Sequence, residues 1–183
     1  MFIQTEITPN PATLKFLPGE TVLGNGTANF TDPETAARAP LAQRLFEIEG
    51  VTGVFFGSDF VTVTKSDDQT WALLKPAILG TIMEHYVSGA PMLHGEAEPA
   101  AAPAEDDDEI VVQIKELLDT RVRPAVAQDG GDIIFHGFED GIVMLEMHGA
   151  CSGCPSSTAT LKHGIENLLR HYIPEVVEVR AIY

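Results

Sequence analysis

The chain has 183 residues, 44% of them hydrophobic, which is enough for one ordinary domain or two small ones with a buried core. Its 11 basic and 27 acidic residues give a net charge of −16. This charge argues against sequence-independent nucleic-acid binding, which depends on Lys and Arg. Neither a membrane-spanning apolar run nor a secretory signal is evident. The composition therefore predicts a soluble protein that binds neither nucleic acid nor membrane.

Residues 1–89 predict a small α+β domain. Two short strands are separated by a Pro-Asn-Pro turn, a later helix has Pro at its start and Gly at its end, and a hairpin follows. The last helix contains Pro76, which lacks an amide donor and is expected to kink or restart it. The predicted elements are strands at 2–7 and 13–17, a helix at 40–50, strands at 51–56 and 60–64, and a helix at 71–86.

Residues 90–108 predict a flexible linker between two domains. The segment is rich in Ala and Pro and carries six acidic residues and no basic ones. It has few apolar side chains to bury, and its acidic residues repel one another, so an extended chain is expected. Its acidic end can cap the helix that follows.

Residues 109–183 predict a second α+β domain in the order helix, hairpin, helix, strand. The Asp140-Gly141 pair between two apolar runs is a strong hairpin signal. We expect a three-stranded sheet covered by two helices. The predicted elements are a helix at about 109–121, strands at 133–135 and 142–147, a helix that ends before Pro174, and a strand at 177–183.

The sequence Cys151-Ser-Gly-Cys154 contains the two cysteines of the chain. Pro155 fits the first position of a helix, which predicts that Cys154 caps the helix and that Cys151 lies in the loop before it. A helix N-terminus favours thiolates, and cysteines there can have pKa values lowered from about 8.5 to roughly 3.5–7.5. The hydroxyls of Ser156, Ser157 and Thr158 are expected to add donors around the sulfurs. Zinc and iron-sulfur sites normally take four protein ligands, so two sulfurs form half of such a site.

The spacing of the cysteines leaves three chemistries open: an iron-sulfur centre, a dithiol-disulfide pair and a zinc site. No aromatic residue precedes Cys151, and the hairpin before it is not a βαβ unit, which places the redox alternative second. Histidines of the same domain can complete a zinc site, and His148, three residues before Cys151, is the best candidate. The Gly130-Gly131-Asp132 sequence is better explained as a tight helix-to-strand loop that needs positive φ than as a functional site.

Two groups of residues carry a family resemblance. The sequence from Gly149 to Glu166, with Arg123-Pro124 and the Gln-Asp-Gly-Gly-Asp-Ile sequence at 128–133, resembles the C-terminal domain of the NifU-like (Nfu) iron-sulfur proteins. Residues 1–89, with Phe-Ile-Gln-Thr-Glu at 2–6 and Asn-Pro-Ala-Thr-Leu-Lys at 10–15, resemble the N-terminal domain of longer family members. The resemblance covers everything except the linker.

The resemblance implies that Cys151 and Cys154 bind iron and that two chains share a bridging 4Fe-4S cluster. It implies a carrier rather than an enzyme, with no catalytic residues, that receives a cluster from the assembly machinery and passes it to client apo-proteins. The N-terminal domain is then assigned to partner or client recognition, since no cysteine precedes Cys151. The expected compartment is a bacterial cytoplasm, or the mitochondrial matrix for a processed eukaryotic protein.

Overall fold

The computed structural model describes residues 1–95, 108–152 and 155–182, without the side chains of 155–157. Contacts between Cα atoms divide the chain into two compact units, Met1–Pro99 and Ala100–Tyr183. The predicted domain boundaries, 1–89, 90–108 and 109–183, stay a prediction, and residues 96–107 of the predicted linker lie outside the described residues. Within the described ranges, no helix combines the length and the apolar character needed to cross a bilayer.

The first unit has the α+β architecture that its sequence predicts. Its elements are β1 (Gln4–Ile7), β2 (Thr13–Leu17), β3 (Ala28–Phe30), α1 (Pro40–Phe46), β4 (Val51–Phe56), β5 (Val61–Lys65) and α2 (Trp71–Ser88). The strands form one antiparallel sheet in the order β1-β2-β5-β4-β3. The short edge strand β3 and a 3₁₀ turn at Thr35–Arg38 were not predicted.

Helix α2 runs without a break across Pro76. Of the two expected effects of this proline, a kink or a restart, the restart does not occur, and the kink stays a prediction. Leu74 on one side of Pro76 and Ile78 and Ile82 on the other are buried in the same core cluster. Their burial holds both halves of the helix on one core. The free energy gained from this burial offsets the loss of the backbone hydrogen bond that Pro76 cannot donate.

The second unit confirms the predicted order of elements and the three-stranded sheet. Its elements are α3 (Glu109–Leu117), a π-helical turn (Leu118–Val122), α4 (Arg123–Gln128), β6 (Gly131–Glu139), β7 (Ile142–Gly149), α5 (Pro155–Tyr172) and β8 (Glu178–Ile182). The strands lie in the order β6-β7-β8. Asp140 and Gly141 both have positive φ and close the β6–β7 hairpin, as a type I′ turn requires.

Two features of this unit differ from the prediction. The first helix was expected to end at about 121, but helical structure continues through the π turn and α4 to Gln128. Pro124 cannot donate to the carbonyl of Thr120 in a regular helix, and the wider π turn lies just before it. In addition, β8 pairs with β7 in parallel. Helix α5 is therefore the crossover of a β7-α5-β8 unit.

Candidate metal centre

The cysteine motif lies where β7 ends and α5 begins. Pro155 is the first residue of α5, as predicted. Cys151 occupies the turn directly after β7. Cys154, with Gly153, lies outside the described residues, so its predicted position as helix cap stays a prediction. The described half of the candidate site is thus Cys151, at the crossover junction of the sheet.

Cys151 is a core residue, because only 6% of its surface is exposed and it belongs to the apolar cluster of the second unit. Its sulfur packs against Gly131, the first residue of β6. A Cβ added to Gly131 would lie 2.6 Å from the Cys151 Sγ and 2.7 Å from the His148 carbonyl oxygen. Gly131 pairs with Gly149 across the hairpin, where φ of Gly149 is +66°. Glycines thus provide both the space and the turn that Cys151 needs.

The backbone on both sides of Cys151 is fixed by hydrogen bonds. The Thr158 hydroxyl donates to the Cys151 carbonyl oxygen over 2.9 Å, and the Ala150 amide donates to the Gly130 carbonyl oxygen over 3.1 Å. The first bond ties the turn to α5 and the second ties it to the start of β6. The Thr158 hydroxyl is thus a donor near Cys151, as expected, but its bond is to the backbone carbonyl and not to the sulfur. The side chains of Ser156 and Ser157 lie outside the described residues.

The acidity expected for a helix N-terminus is reversed at Cys151 in the metal-free chain. Burial raises the pKa of the Cys151 thiol to about 12, and the carboxylates of Asp129 and Asp132 raise it further in the same direction. Desolvation is the largest cause, because burial disfavours the charged thiolate. The predicted low pKa is therefore wrong for Cys151, which is a protonated thiol at neutral pH.

We expect the buried thiol to react slowly. In the metal-free Cys154→Ser chain at pH 7.5, iodoacetamide should alkylate Cys151 at least about a hundredfold more slowly than a free cysteine, since the thiolate is the nucleophile. Mass spectrometry measures the alkylation rate. Unfolding in urea should raise this rate to that of a free cysteine. Rapid alkylation of the folded chain would contradict the burial of this side chain.

An ion pair supports the loop that contacts Cys151. The Arg123 guanidinium donates to both carboxylate oxygens of Asp132, with Nε–Oδ1 and Nη2–Oδ2 distances of 2.9 and 2.6 Å. Asp132 is buried, and its Oδ1 also accepts the Ile133 amide over 2.8 Å. Asp132 directly follows Gly131 in the chain, and Arg123 is the first residue of α4. The ion pair between them therefore holds the start of β6 against α4. The pKa of Arg123 is raised chiefly by the hydrogen bond to Asp132.

This arrangement refines the interpretation of the Gly130-Gly131-Asp132 sequence as a tight loop. Gly130 has φ of +82°, as predicted, but Gly131 is needed for the space beside Cys151 rather than for a positive φ. The pairing of Arg123 with Asp132 was not predicted. An acid next to two glycines at the start of an apolar strand is the signal that points to a buried partner.

The histidine proposed for zinc is already bonded to a carboxylate. His148 Nε2 lies 2.8 Å from Glu146 Oε1, and His136 Nε2 lies 2.6 Å from Glu146 Oε2. Hydrogen bonds from these histidines, from His148 first, lower the pKa of Glu146. Among residues 1–95, 108–152 and 158–182, no three His, Cys, Asp or Glu side chains are grouped to hold a metal. The described residues therefore form no zinc site with His148.

The cysteine motif lies in a βαβ unit. The cysteines were expected to follow a hairpin outside any such unit, which counted against a dithiol-disulfide pair. The hairpin is present, but β8 pairs with β7 in parallel, so the motif lies at the strand-to-helix junction of the β7-α5-β8 crossover. The expectation that no βαβ unit is present is therefore wrong.

Known proteins resemble both units. Residues 3–89 match the family described as scaffold protein Nfu/NifU N terminal, and residues 114–180 match the NifU-like domain. The chain is 56% identical over 183 residues to the NFU1 iron-sulfur cluster scaffold homolog, mitochondrial, of Homo sapiens, covering all of this chain and 72% of that protein. It is 55% identical over 186 residues to the protein of the same name in Drosophila erecta, covering 65% of that protein.

A solved structure is also similar. The solution structure of a NifU-like protein from Saccharomyces cerevisiae is 29% identical, with a TM-score of 0.48, and the match covers 52% of this chain and 87% of that one.

Proposed function

Because the chain belongs to the NifU-like (Nfu) family, we propose that it is an iron-sulfur cluster scaffold that binds its cargo through Cys151 and Cys154. Relatives that match this chain over its full length are named iron-sulfur cluster scaffolds. We propose that this chain, likewise, holds a cluster and passes it on without catalysing a reaction. The proposal therefore assigns no catalytic residues.

The number of cysteines supports a cluster that is shared between two chains. A 4Fe-4S cluster takes four thiolates, and each chain has two. Two chains that contribute Cys151 and Cys154 each make the set complete. The cluster is then bridged between two copies in a homodimer.

A shared cluster suits transfer. Each chain holds it by two sulfurs, so ligand exchange or separation of the chains releases it to an acceptor. In the described half of the site, Gly131 and the Thr158 hydroxyl fix the position of Cys151. These two residues therefore orient the thiol that would bind the cluster. The proposed partners are the cluster-assembly machinery and the client apo-proteins.

The names of the relatives support one of the two expected compartments. The human and Drosophila proteins are both named mitochondrial. We therefore favour the mitochondrial matrix over a bacterial cytoplasm for this chain.

Anaerobic reconstitution tests the proposal. We expect a brown dimer that binds about four irons per two chains, and we expect either Cys151→Ser or Cys154→Ser to remove the iron and the colour. Circular dichroism should show that both variants stay folded, because the core consists mainly of other side chains. A monomer with about four irons would contradict bridging. A colourless protein with stoichiometric zinc would contradict the iron-sulfur proposal itself.

A dithiol-disulfide function is the second candidate, favoured by the position of the motif in a β7-α5-β8 unit. The buried, protonated Cys151 thiol argues against it, since rapid exchange needs a thiolate. A metal-free chain that reduces a disulfide substrate at a rate well above that of free thiols would favour this candidate.

A further inference from the structure

An open cleft lies on the face of the first unit's sheet that is turned away from the core. Leu17 follows the core residue Phe16 along β2, so its side chain lies on that outer face, and it pairs with Gln4 of β1. The cleft has a volume of about 520 Å³, within the roughly 300–1,000 Å³ of pockets that hold ligands. We call it the Phe2 cleft, and its lining includes Phe2, Gln4, Leu17, Glu20, Thr21 and Asp59.

Hydrogen bonds hold the walls of the Phe2 cleft in place. The Tyr86 hydroxyl donates to the Thr21 carbonyl oxygen over 3.2 Å, which ties one wall to α2. The Val22 amide donates to the Ser58 carbonyl oxygen over 2.9 Å. Because Val22 follows Thr21 and Ser58 precedes Asp59, this second bond joins two walls of the cleft. The cleft is therefore formed before anything binds to it.

The mouth of the Phe2 cleft is apolar. Phe2 is 80% exposed and lines the cleft together with Leu17. Aromatic side chains dominate the binding energy of many protein contacts, since they bury a large apolar area at a small cost in conformational entropy. An exposed aromatic ring beside a second apolar side chain is thus a candidate anchor for a partner.

The backbone beside the cleft is open as well. Strand β1 lies at the edge of the sheet, and in the part of the chain that the structure describes it pairs with β2 alone. Its sequence, Gln-Thr-Glu-Ile, contains no proline, and its register with β2 has no bulge, two devices that commonly block an edge strand. Its free N–H and C=O groups can therefore pair with an extended segment as one more strand.

The Phe2 cleft carries negative charge that its own unit does not neutralise. Glu20 and Asp59 are exposed, and neither forms an ion pair with a described residue. A third carboxylate on the outer face, Glu6, is already paired with Lys15 over 3.6 Å. Two carboxylates therefore remain for basic groups of an occupant.

The charge of the chain disfavours two occupants, a second copy and the chain's own acidic segment. The net charge is −16, and residues 96–107 contain five acidic residues and no basic ones. Both would bring like charge to Glu20 and Asp59, whereas a segment rich in Lys or Arg is attracted. The occupant that fits is a basic segment of a different protein.

We propose that the Phe2 cleft and the free edge of β1 form a docking site for an extended, basic segment of another protein. The backbone of this segment pairs with β1, so every second side chain lies on the cleft side. In that row, an apolar side chain packs against Phe2 and Leu17. Lys or Arg side chains in the same row bind Glu20 and Asp59. This contact uses no residue of the second unit.

Fluorescence anisotropy of a labelled peptide with the full chain tests the docking site. The probe is a seven-residue peptide in which Thr alternates with Lys, Leu and Lys, so that the last three share one face when it is extended. We expect saturable binding that weakens as salt is added, because exposed charges are screened. A peptide with Glu in place of Lys should not bind. Equal binding of the two peptides, or no binding of the Lys peptide at about 1 mM, would overturn the proposal.

A charge reversal tests whether the attraction is local. Glu20→Lys should weaken binding of the Lys peptide at least about tenfold, because it replaces attraction in the cleft with repulsion. Glu49→Lys is the matched control, since Glu49 is an exposed residue of the same unit that does not line the cleft. It changes the net charge equally and should weaken binding less than about twofold. Equal effects would mean that net charge alone attracts the peptide, which contradicts a defined site.

Truncation of Phe2 tests the apolar anchor. Phe2→Ala should weaken binding at least about fivefold. Ile7→Ala should have little effect, because Ile7 is 91% exposed on β1 and its side chain lies on the face opposite to Gln4. Thermal unfolding should show that both variants are as stable as the unchanged chain, since both side chains are exposed. Equal binding by the two variants would exclude Phe2 as an anchor and overturn the proposal.

Hydrogen exchange and sedimentation test the other possible occupants. We expect the peptide to slow exchange of the β1 amides, and slowing elsewhere alone would place the peptide at another site and overturn the proposal. Protection of the free edge of β1 in a peptide-free monomer would show that the same chain covers it. A peptide-free dimer that Phe2→Ala converts to a monomer would show that a second copy covers it. Either result would overturn the proposal.

Because these tests concern residues of the first unit, a negative result leaves cluster binding by Cys151 and Cys154 untouched. Conversely, failure of the reconstituted chain to bind iron would leave the docking site standing.

Discussion

Asp132→Ala should destabilise the second unit by about 3–5 kcal/mol, the usual cost of leaving one member of a buried ion pair alone. The change removes two hydrogen bonds from Arg123 and the acceptor of the Ile133 amide. Of the carboxylates that bind Arg123 in the described part of the chain, Asp119 would remain, and its Oδ1 lies 3.3 Å away on the surface. Because Asp132 adjoins Gly131, loss of the pair should also loosen the contact with Cys151 and lower the iron retained after reconstitution.

Amide hydrogen exchange of β6 and β7 in the full chain measures this loss. The fluorescence of Trp71, the single tryptophan, reports on the first unit and should not change. Asp119→Ala is the matched control: it removes the exposed carboxylate bonded to the same arginine and should cost less than about 1 kcal/mol. Similar effects of the two variants would mean that the Arg123–Asp132 pair does not support the loop.

Gly131→Ala should displace Cys151. The added methyl group would lie within 3 Å of both the Cys151 Sγ and the His148 carbonyl oxygen, distances that real structures do not tolerate. The carbonyl belongs to the β6–β7 ladder and the Cys151 side chain is short, so neither yields without moving the turn. We expect a loss of about 1–3 kcal/mol, the usual cost of overpacking. Iron binding should fall even at temperatures where the chain is folded.

Gly164→Ala provides the control for adding one methyl group. Gly164 lies in α5, and a Cβ there meets no atom within 4 Å. This variant should be more stable by up to about 1 kcal/mol, because alanine is more favourable than glycine inside a helix. Its iron binding should be unchanged. Full iron retention in Gly131→Ala would show that the position of Cys151 is not set by this contact.

The hairpins and long helices could be predicted from local sequence, because their signals are local. Asp140 and Gly141 adopt the positive φ values that a type I′ turn requires, and Pro155 begins α5. Two departures from the prediction have different causes. Pro76 does not restart α2, because buried residues on both sides of it share one core. The helix after Glu109 continues past 121 because a π turn lies just before Pro124.

Local sequence predicts a pair of sulfur ligands: two cysteines stand three positions apart before a proline, with no others in the chain, and zinc and iron-sulfur sites normally take four protein ligands. The surroundings of Cys151, in contrast, depend on tertiary packing. The turn after β7 carries the thiol into the core, so desolvation raises its pKa although its place before a helix predicted the opposite. Burial depends on which distant residues pack together, here Gly131 and the Arg123–Asp132 pair, and spacing along the chain does not encode that.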